Sequence, residues 1–192
     1  MRLALLAALA LAVPVSVPAD GLLSVYFDTN ASRCAGDVPV AGVAMLHVLL
    51  VAEGATYGGI TGVEFRIDTS NARSYLYQNE DWLGAIRLGT ALGDGVTMAL
   101  GSCRTGSPIH LLSFQVLNPG SGAGDATLQV VPKRQPSNPN FACPLAVLCD
   151  APVFSQVCVE GGRTILNPGA PRPCGSSRVD SQWTRVKELY RP

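Results

Sequence analysis

The sequence has no surplus of either charge: 14 Lys and Arg stand against 14 Asp and Glu, and charged residues make up only 15% of the chain. That balance points away from nucleic acid and from anionic membrane surfaces, which ask for a basic patch. Histidine is scarce, with His47 and His110 alone, and no CxxC pair occurs, so the ligand spacing of a zinc site is missing. There is no G-x-S-x-G elbow, and the GSCRTG stretch does not stand between a strand and a helix as such an elbow requires. The EF-hand loop pattern is absent. No internal repeat stands out. No cofactor is expected.

What is present begins with Arg2 and the apolar run LALLAALALAV, too short to cross a bilayer and closed by PVSVPAD. Val17 and Ala19 supply the small residues of a signal-peptide cleavage site, so residues 1–19 are set aside as a signal peptide. Without Arg2 the mature part carries 13 basic and 14 acidic side chains. No membrane span is expected in it. Six cysteines follow, Cys34, Cys103, Cys143, Cys149, Cys158 and Cys174. An even number behind a signal peptide predicts a disulfide framework and a secreted, extracellular protein, with periplasm or cell surface as the other destinations. Six cysteines allow about 15 pairings. The hairpin-like DAPVFSQV predicts Cys149 with Cys158, neighbouring loops predict Cys103 with Cys143, and elimination leaves Cys34 with Cys174.

The organising stretch is Ile60 to Asp68, ITGVEFRID, in which apolar Val63, Phe65 and Ile67 alternate with charged Glu64, Arg66 and Asp68. This is the period of a strand with one face buried and one in water. Further strands are expected at residues 22–27, 43–52, 85–88, 96–100, 109–116 and 127–131, and two or three more lie in LAVLCDAPVFSQVCVEGGRTIL, with Gly161 and Gly162 at a turn. The 43–52 run is expected to pair with the organising strand as sequential antiparallel neighbours. The PKRQPSNPNFACP stretch is a loop or an excursion around an edge. Eight or nine short strands predict an all-β protein, an antiparallel β-sandwich spanning 20–166, with a closed barrel as the alternative.

After a Pro and Gly rich linker at 167–180, residues 181–192 show helical spacing. Trp183, Val186 and either Leu189 or Tyr190 share a face, with Arg185, Lys187, Glu188 and Arg191 elsewhere, which predicts a short C-terminal amphipathic helix. A helix of this length is marginal alone and must dock or fray. Two fates are open: packing Trp183 on its own sandwich, or presenting Trp183, Val186, Lys187, Leu189, Tyr190 and Arg191 as a docking tail to a protein partner or sorting machinery.

The pieces Thr61 to Phe65, Gly101 to Cys103 and Trp183 to Arg191 resemble a group of secreted bacterial proteins that close on W-x-x-V-K-x-L-Y-R. The resemblance implies secretion and a reused terminal tag, and nothing catalytic. The body also resembles, remotely, cohesin-type and other immunoglobulin-like sandwich modules, in which a G-V-x-F strand packs across a two-sheet core; this implies fold and not function.

The chemistry on offer is thin. His47 sits inside MLHVLLVA, and His110 is expected to share a strand face with Leu112, Phe114 and Val116, so both read as packed strand residues. Cys103 reads as bridged rather than nucleophilic. Glu64 with Asp68, or Glu80 with Asp81, are the carboxylate pairs a hydrolase would need, but Glu64 and Asp68 look like an outer sheet surface. Asn79 to Asp81 with Asp94 offer oxygen ligands to calcium. Asn30 lies in an N-x-S sequon. Tyr57, Tyr75, Tyr77 and Trp82, in loop-like surroundings, could stack on a glycan or line a protein interface. The expected function is that of a non-catalytic binding or structural module, with a carbohydrate-binding module and a secreted hydrolase as alternatives.

Overall fold

The structure, a computed structural model, describes residues 20–120 and 125–170. They form two sheets packed face to face, as the alternating strands require. The first sheet has the order β12-β1-β3-β8-β5, built from β1 (Gly21–Tyr26), β3 (Val43–Ala52), β5 (Leu76–Trp82), β8 (Ile109–Leu117) and β12 (Glu160–Gly161). The second centres on β4 (Ile60–Asn71). One edge of β4 carries β10 (Leu145–Leu148) and then β9 (Ala126–Val131), and β7 (Gly95–Arg104) pairs with residues 60–65. Outside these lie β6 (Ile86–Thr90) against β7, β11 (Gln156–Cys158) against β10, and β13 (Arg163–Leu166) with β2 (Ala35–Gly36) beyond β9. The core lies between the sheets: Leu46, Val48, Leu112 and Phe114 from one side meet Phe65, Ile67, Met98 and Leu128 from the other, all almost fully buried.

The organising strand is thus the middle of a sheet, and the strands expected at 43–52, 96–100 and 109–116 are present. Two readings fail. The 43–52 strand does not pair with 60–68: β3 lies between β1 and β8, and β4 is in the opposite sheet. A 3-10 turn over Gly54–Gly58 and a left-handed Gly59 (φ 105°) carry the chain across. Buried Thr56 pins that crossing by donating to the carbonyls of Asp20 and Glu53. Between the strands expected at 60–68 and 85–88, where none is expected, the chain holds a full strand, β5 (Leu76–Trp82).

The disulfides also differ. Cys103 bonds Cys149 and Cys143 bonds Cys158. The expected hairpin exists, but its register sets Leu145 opposite Cys158. Cys149 therefore stands four residues along β10 from that point, about 13 Å at strand rise, beyond disulfide reach. Cys34 is disulfide-bonded as well; the pairing expected for it falls on Cys174, outside the described residues, as do the linker beyond Ala170 and the predicted terminal helix.

Candidate interaction surface

The outer face of the second sheet is built on Gly62 and Glu64. A side chain at Gly62 would come within 2.9 Å of the Met98 carbonyl, so glycine keeps β4 and β7 in contact. Glu64, expected in water, is 4% exposed. The loop between β9 and β10 folds over it: the backbone N–H of Ser137 donates to Oε1 (2.8 Å), Thr97 Oγ1 donates to Oε2 (2.6 Å), and Lys133 Nζ stands 3.7 Å away while donating to Thr97 (2.9 Å). Burial alone would raise the Glu64 pKa, but these donors and the Lys133 charge outweigh it and hold the carboxyl below its ordinary range. Its role is to fasten the 132–144 excursion, with Cys143–Cys158 as the covalent stitch. Beside it lies a small recess of about 110 Å³, lined by Glu64, Thr97, Ser137, Val147 and Gln156 among others.

Beyond this covered zone the face is open. Registers place Leu88 opposite Thr97, and Ile86 opposite Ala99, which sits opposite Gly62 and so in line with Val147. Ile86 and Leu88 are each 66% exposed. Among the described residues strand β6 pairs only with β7, so its other edge carries N–H and C=O groups that no described strand pairs. Its single charge is turned aside: Arg87 lies over the Trp82 ring (5.1 Å to the centroid) and 4.0 Å from Glu80. Apolar side chains beside an unpaired edge, without a guarding charge or proline, are what a strand-adding partner requires. Exposed Val153 and Phe154 lie in the β10–β11 turn, and Tyr57 on the crossing that Cys103–Cys149 braces: the Cys149 N–H donates to Gly59, and a side chain at Gly59 would strike Cys103 Sγ.

The aromatics expected to act together are dispersed. Tyr57 is 74% exposed. Tyr75 is buried, its hydroxyl accepting from Asn167 Nδ2 (2.8 Å). Tyr77 packs on the core and donates to the Ala72 carbonyl, and burial first and then Tyr75 push its phenol well above the ordinary tyrosine range. Trp82 packs on the core under Arg87.

The structure also assembles a cluster that the sequence hides. On the outer face of the first sheet, His47 Nδ1 lies 2.8 Å and His110 Nε2 3.0 Å from Ser113 Oγ, with the two rings edge to face at 5.1 Å. His110 does not share the inward face of Leu112 and Phe114. A β-bulge is the reason: Val48 pairs with Leu112 but Leu49 with His110, so Leu111 is an extra residue and re-aims His110 outward. Because the Leu112 carbonyl also receives His110 Nε2 (3.2 Å), that nitrogen carries a proton, Ser113 accepts from it, and the serine proton goes to His47 Nδ1. Burial lowers the His47 pKa, as does His110, while Asp28 opposes them.

The carboxylates do not converge. Glu64 and Asp68 are about 13 Å apart along one strand, wider than either glycosidase spacing, and Asp68 is tied to Arg66 and Ser70. Asp94 pairs with Arg134 (3.3 Å), and Asn79 donates to Gln115 (2.7 Å). Among the described residues, no three His, Cys, Asp or Glu side chains gather as a metal site, and no helix is long and apolar enough to cross a membrane. Asn30 is exposed in the loop after β1.

No family model and no curated protein matches the chain. Solved structures do. The sixth cohesin of Acetivibrio cellulolyticus scaffoldin B, in complex with a dockerin, superposes with a TM-score of 0.52 at 12% identity, over 77% of this chain and 98% of that one. The cohesin module of a Clostridium perfringens family 33 glycoside hydrolase gives 0.54 at 9% identity, over 79% and 99%. At such identities the likeness is one of fold, and the fold of this chain is a cohesin-like β-sandwich.

Proposed function

We propose that this protein is a secreted, non-catalytic module that binds another protein through the outer face of its second sheet, with the open edge of β6 as the principal contact. The observation that carries the reading is the pair Ile86 and Leu88, both largely exposed on a strand whose outer edge has no partner among the described residues. The A. cellulolyticus cohesin, solved with a dockerin, supports a protein partner for a sandwich of this fold. Disulfide-bonded cysteines support an oxidising, extracellular location. The Trp183 to Arg191 segment serves as the docking or sorting element that places the module.

Immobilised protein, exposed to the secreted fraction of the producing cells, tests the reading against two variants. Capture of a defined protein is expected with wild type and with a Tyr57→Ala variant, and its loss with Ile86→Glu/Leu88→Glu. Capture indifferent to the β6 substitutions overturns the assignment of the face. Binding of glycan, lost in Tyr57→Ala, would favour the carbohydrate-binding alternative, for which Tyr57 is the expected aromatic most open to solvent.

A further inference from the structure

The histidine pair on the outer face of the first sheet has no part in the proposed binding face, and neighbouring strands assemble it. Register puts Tyr26, His47, Ser113 and Asp81 in one row across β1, β3, β8 and β5. The row faces outward, because Val48 and Leu112 beside it belong to the core between the sheets. His110, which strand alternation alone would turn inward, is brought to the same side by the extra residue at Leu111. The outcome is convergence: His47 Nδ1 and His110 Nε2 approach one oxygen, Ser113 Oγ, at 2.8 and 3.0 Å. Both histidines are half-buried, so water reaches them. The charges around the pair are negative. Asp28, fixed by the Asn30 and Ser32 N–H groups and the Ser32 hydroxyl, lies within electrostatic reach of His47, and Asp81 is exposed beside Ser113. Arg33, in the same loop as Asp28, lies over the Phe27 ring.

We infer that His47 and His110 form a two-histidine site for a divalent transition metal, Cu²⁺ first and Ni²⁺ or Zn²⁺ after it, with His47 Nδ1 and His110 Nε2 as the ligands. Imidazole nitrogen suits these ions, and Cu²⁺ is held tightest of the series. The ring spacing agrees. A metal about 2.0 Å from each of two imidazole nitrogens, at a tetrahedral angle, sets the ring centroids about 5 Å apart; those of His47 and His110 are 5.1 Å apart. Ser113 holds the two nitrogens convergent in the metal-free protein and turns aside as the ion enters. His110 changes tautomer at the same time: its Nε2 proton passes to water and Nδ1 takes one up, so the neutral ring presents a lone pair. Its contacts with the Leu112 carbonyl and Ser113 give way to the metal bond. Two protein ligands leave the other positions to water, while Asp28 and Asp81 offset the charge of the ion from outside its coordination sphere. Calcium and magnesium, which ask for oxygen ligands, do not suit the pair. The site is independent of the β6 face.

The test uses residues 20–192 without an affinity tag, in which His47 and His110 are the only imidazoles. Stripped with a chelator and titrated with Cu²⁺ at neutral pH, the protein is expected to bind a single equivalent. Paramagnetic broadening of the amide spectrum is expected to centre on His47, His110 and Ser113 and to spare Ile86 and Leu88. His47→Asn and His110→Asn are each expected to weaken the affinity at least about tenfold, since loss of a ligand costs no less than loss of an outer partner. Excess Ca²⁺ is expected to leave the broadening in place. Broadening centred elsewhere, affinity that survives either substitution, or displacement by Ca²⁺ overturns the inference. The broadening is read on wild type, so it decides the matter alone if a variant fails to fold. Ile86→Glu/Leu88→Glu leaves this readout unchanged, which separates its failure from failure of the proposed binding face.

Discussion

Across the β3–β8 ladder, Ser113 donates its hydroxyl proton to His47 Nδ1 at 2.8 Å, while His110 donates to the same oxygen from the other side at 3.0 Å. The His47 pKa is lowered by burial first and then by His110, against Asp28, so the folded state favours the neutral ring that accepts from Ser113. A histidine depressed in the folded state binds its proton more readily when unfolded, so stability is present at higher pH and is lost as the pH falls below the ordinary imidazole value of 6.5. Thermal melting at pH 8 and pH 5.5 is expected to show a lower midpoint at the acid value. The His47→Asn variant, which keeps an acceptor for Ser113 but does not titrate, is expected to narrow the difference.

Glu64 titrates in a separate window. Its carboxyl is held below the ordinary range by Thr97, Ser137 and Lys133 against the opposing cost of burial. Its contribution is therefore whole above the ordinary glutamate value of 4.5 and is lost as the pH falls through the lowered one. Glu64→Ala leaves the Thr97 hydroxyl and the Ser137 N–H without their acceptor and Lys133 without its ion-pair partner, and is expected to cost about 1–3 kcal/mol at neutral pH. Denaturant titration at pH 7 and pH 3 measures both effects, and the mutant should lose less than wild type between them.

Peptide mapping under non-reducing conditions should recover Cys103 with Cys149 and Cys143 with Cys158. Replacing Cys143 and Cys158 together by alanine reopens a 15-residue span and is expected to cost about 3 kcal/mol on the chain-entropy account. The β9–β10 excursion should then become the first site of proteolysis, because the stitch and the Glu64 clamp hold the same loop.

Phe65 is fully buried between the sheets, and Phe65→Ala is expected to lose about 3–5 kcal/mol. Tyr57→Ala, at an exposed ring, should stay within about 0.5 kcal/mol of wild type. Equilibrium unfolding separates the two.

The alternation of Val63, Phe65 and Ile67 made the central strand legible, and the runs that became β3, β7 and β8 were legible for the same reason. What stayed hidden depends on contacts distant in sequence. Glu64 looks like any solvated strand residue until the 132–144 loop, some 70 residues later, folds over it. His110 could not be placed because a single extra residue at Leu111 reverses the face of everything before it. The cysteine pairs followed the register of β10 with β11, which spacing alone does not give. The β6 edge was expected only as a short strand, and nothing in IRLGT says that no described strand lies outside it.

The binding account turns on one measurement, hydrogen exchange of the backbone with and without the captured partner. The account predicts new protection along Ile86–Thr90, whose outer edge no described strand pairs, with smaller protection on β7. Protection confined to Val43–Ala52 and Leu76–Trp82, or to the loop carrying Tyr57, with β6 exchanging as before, would contradict it.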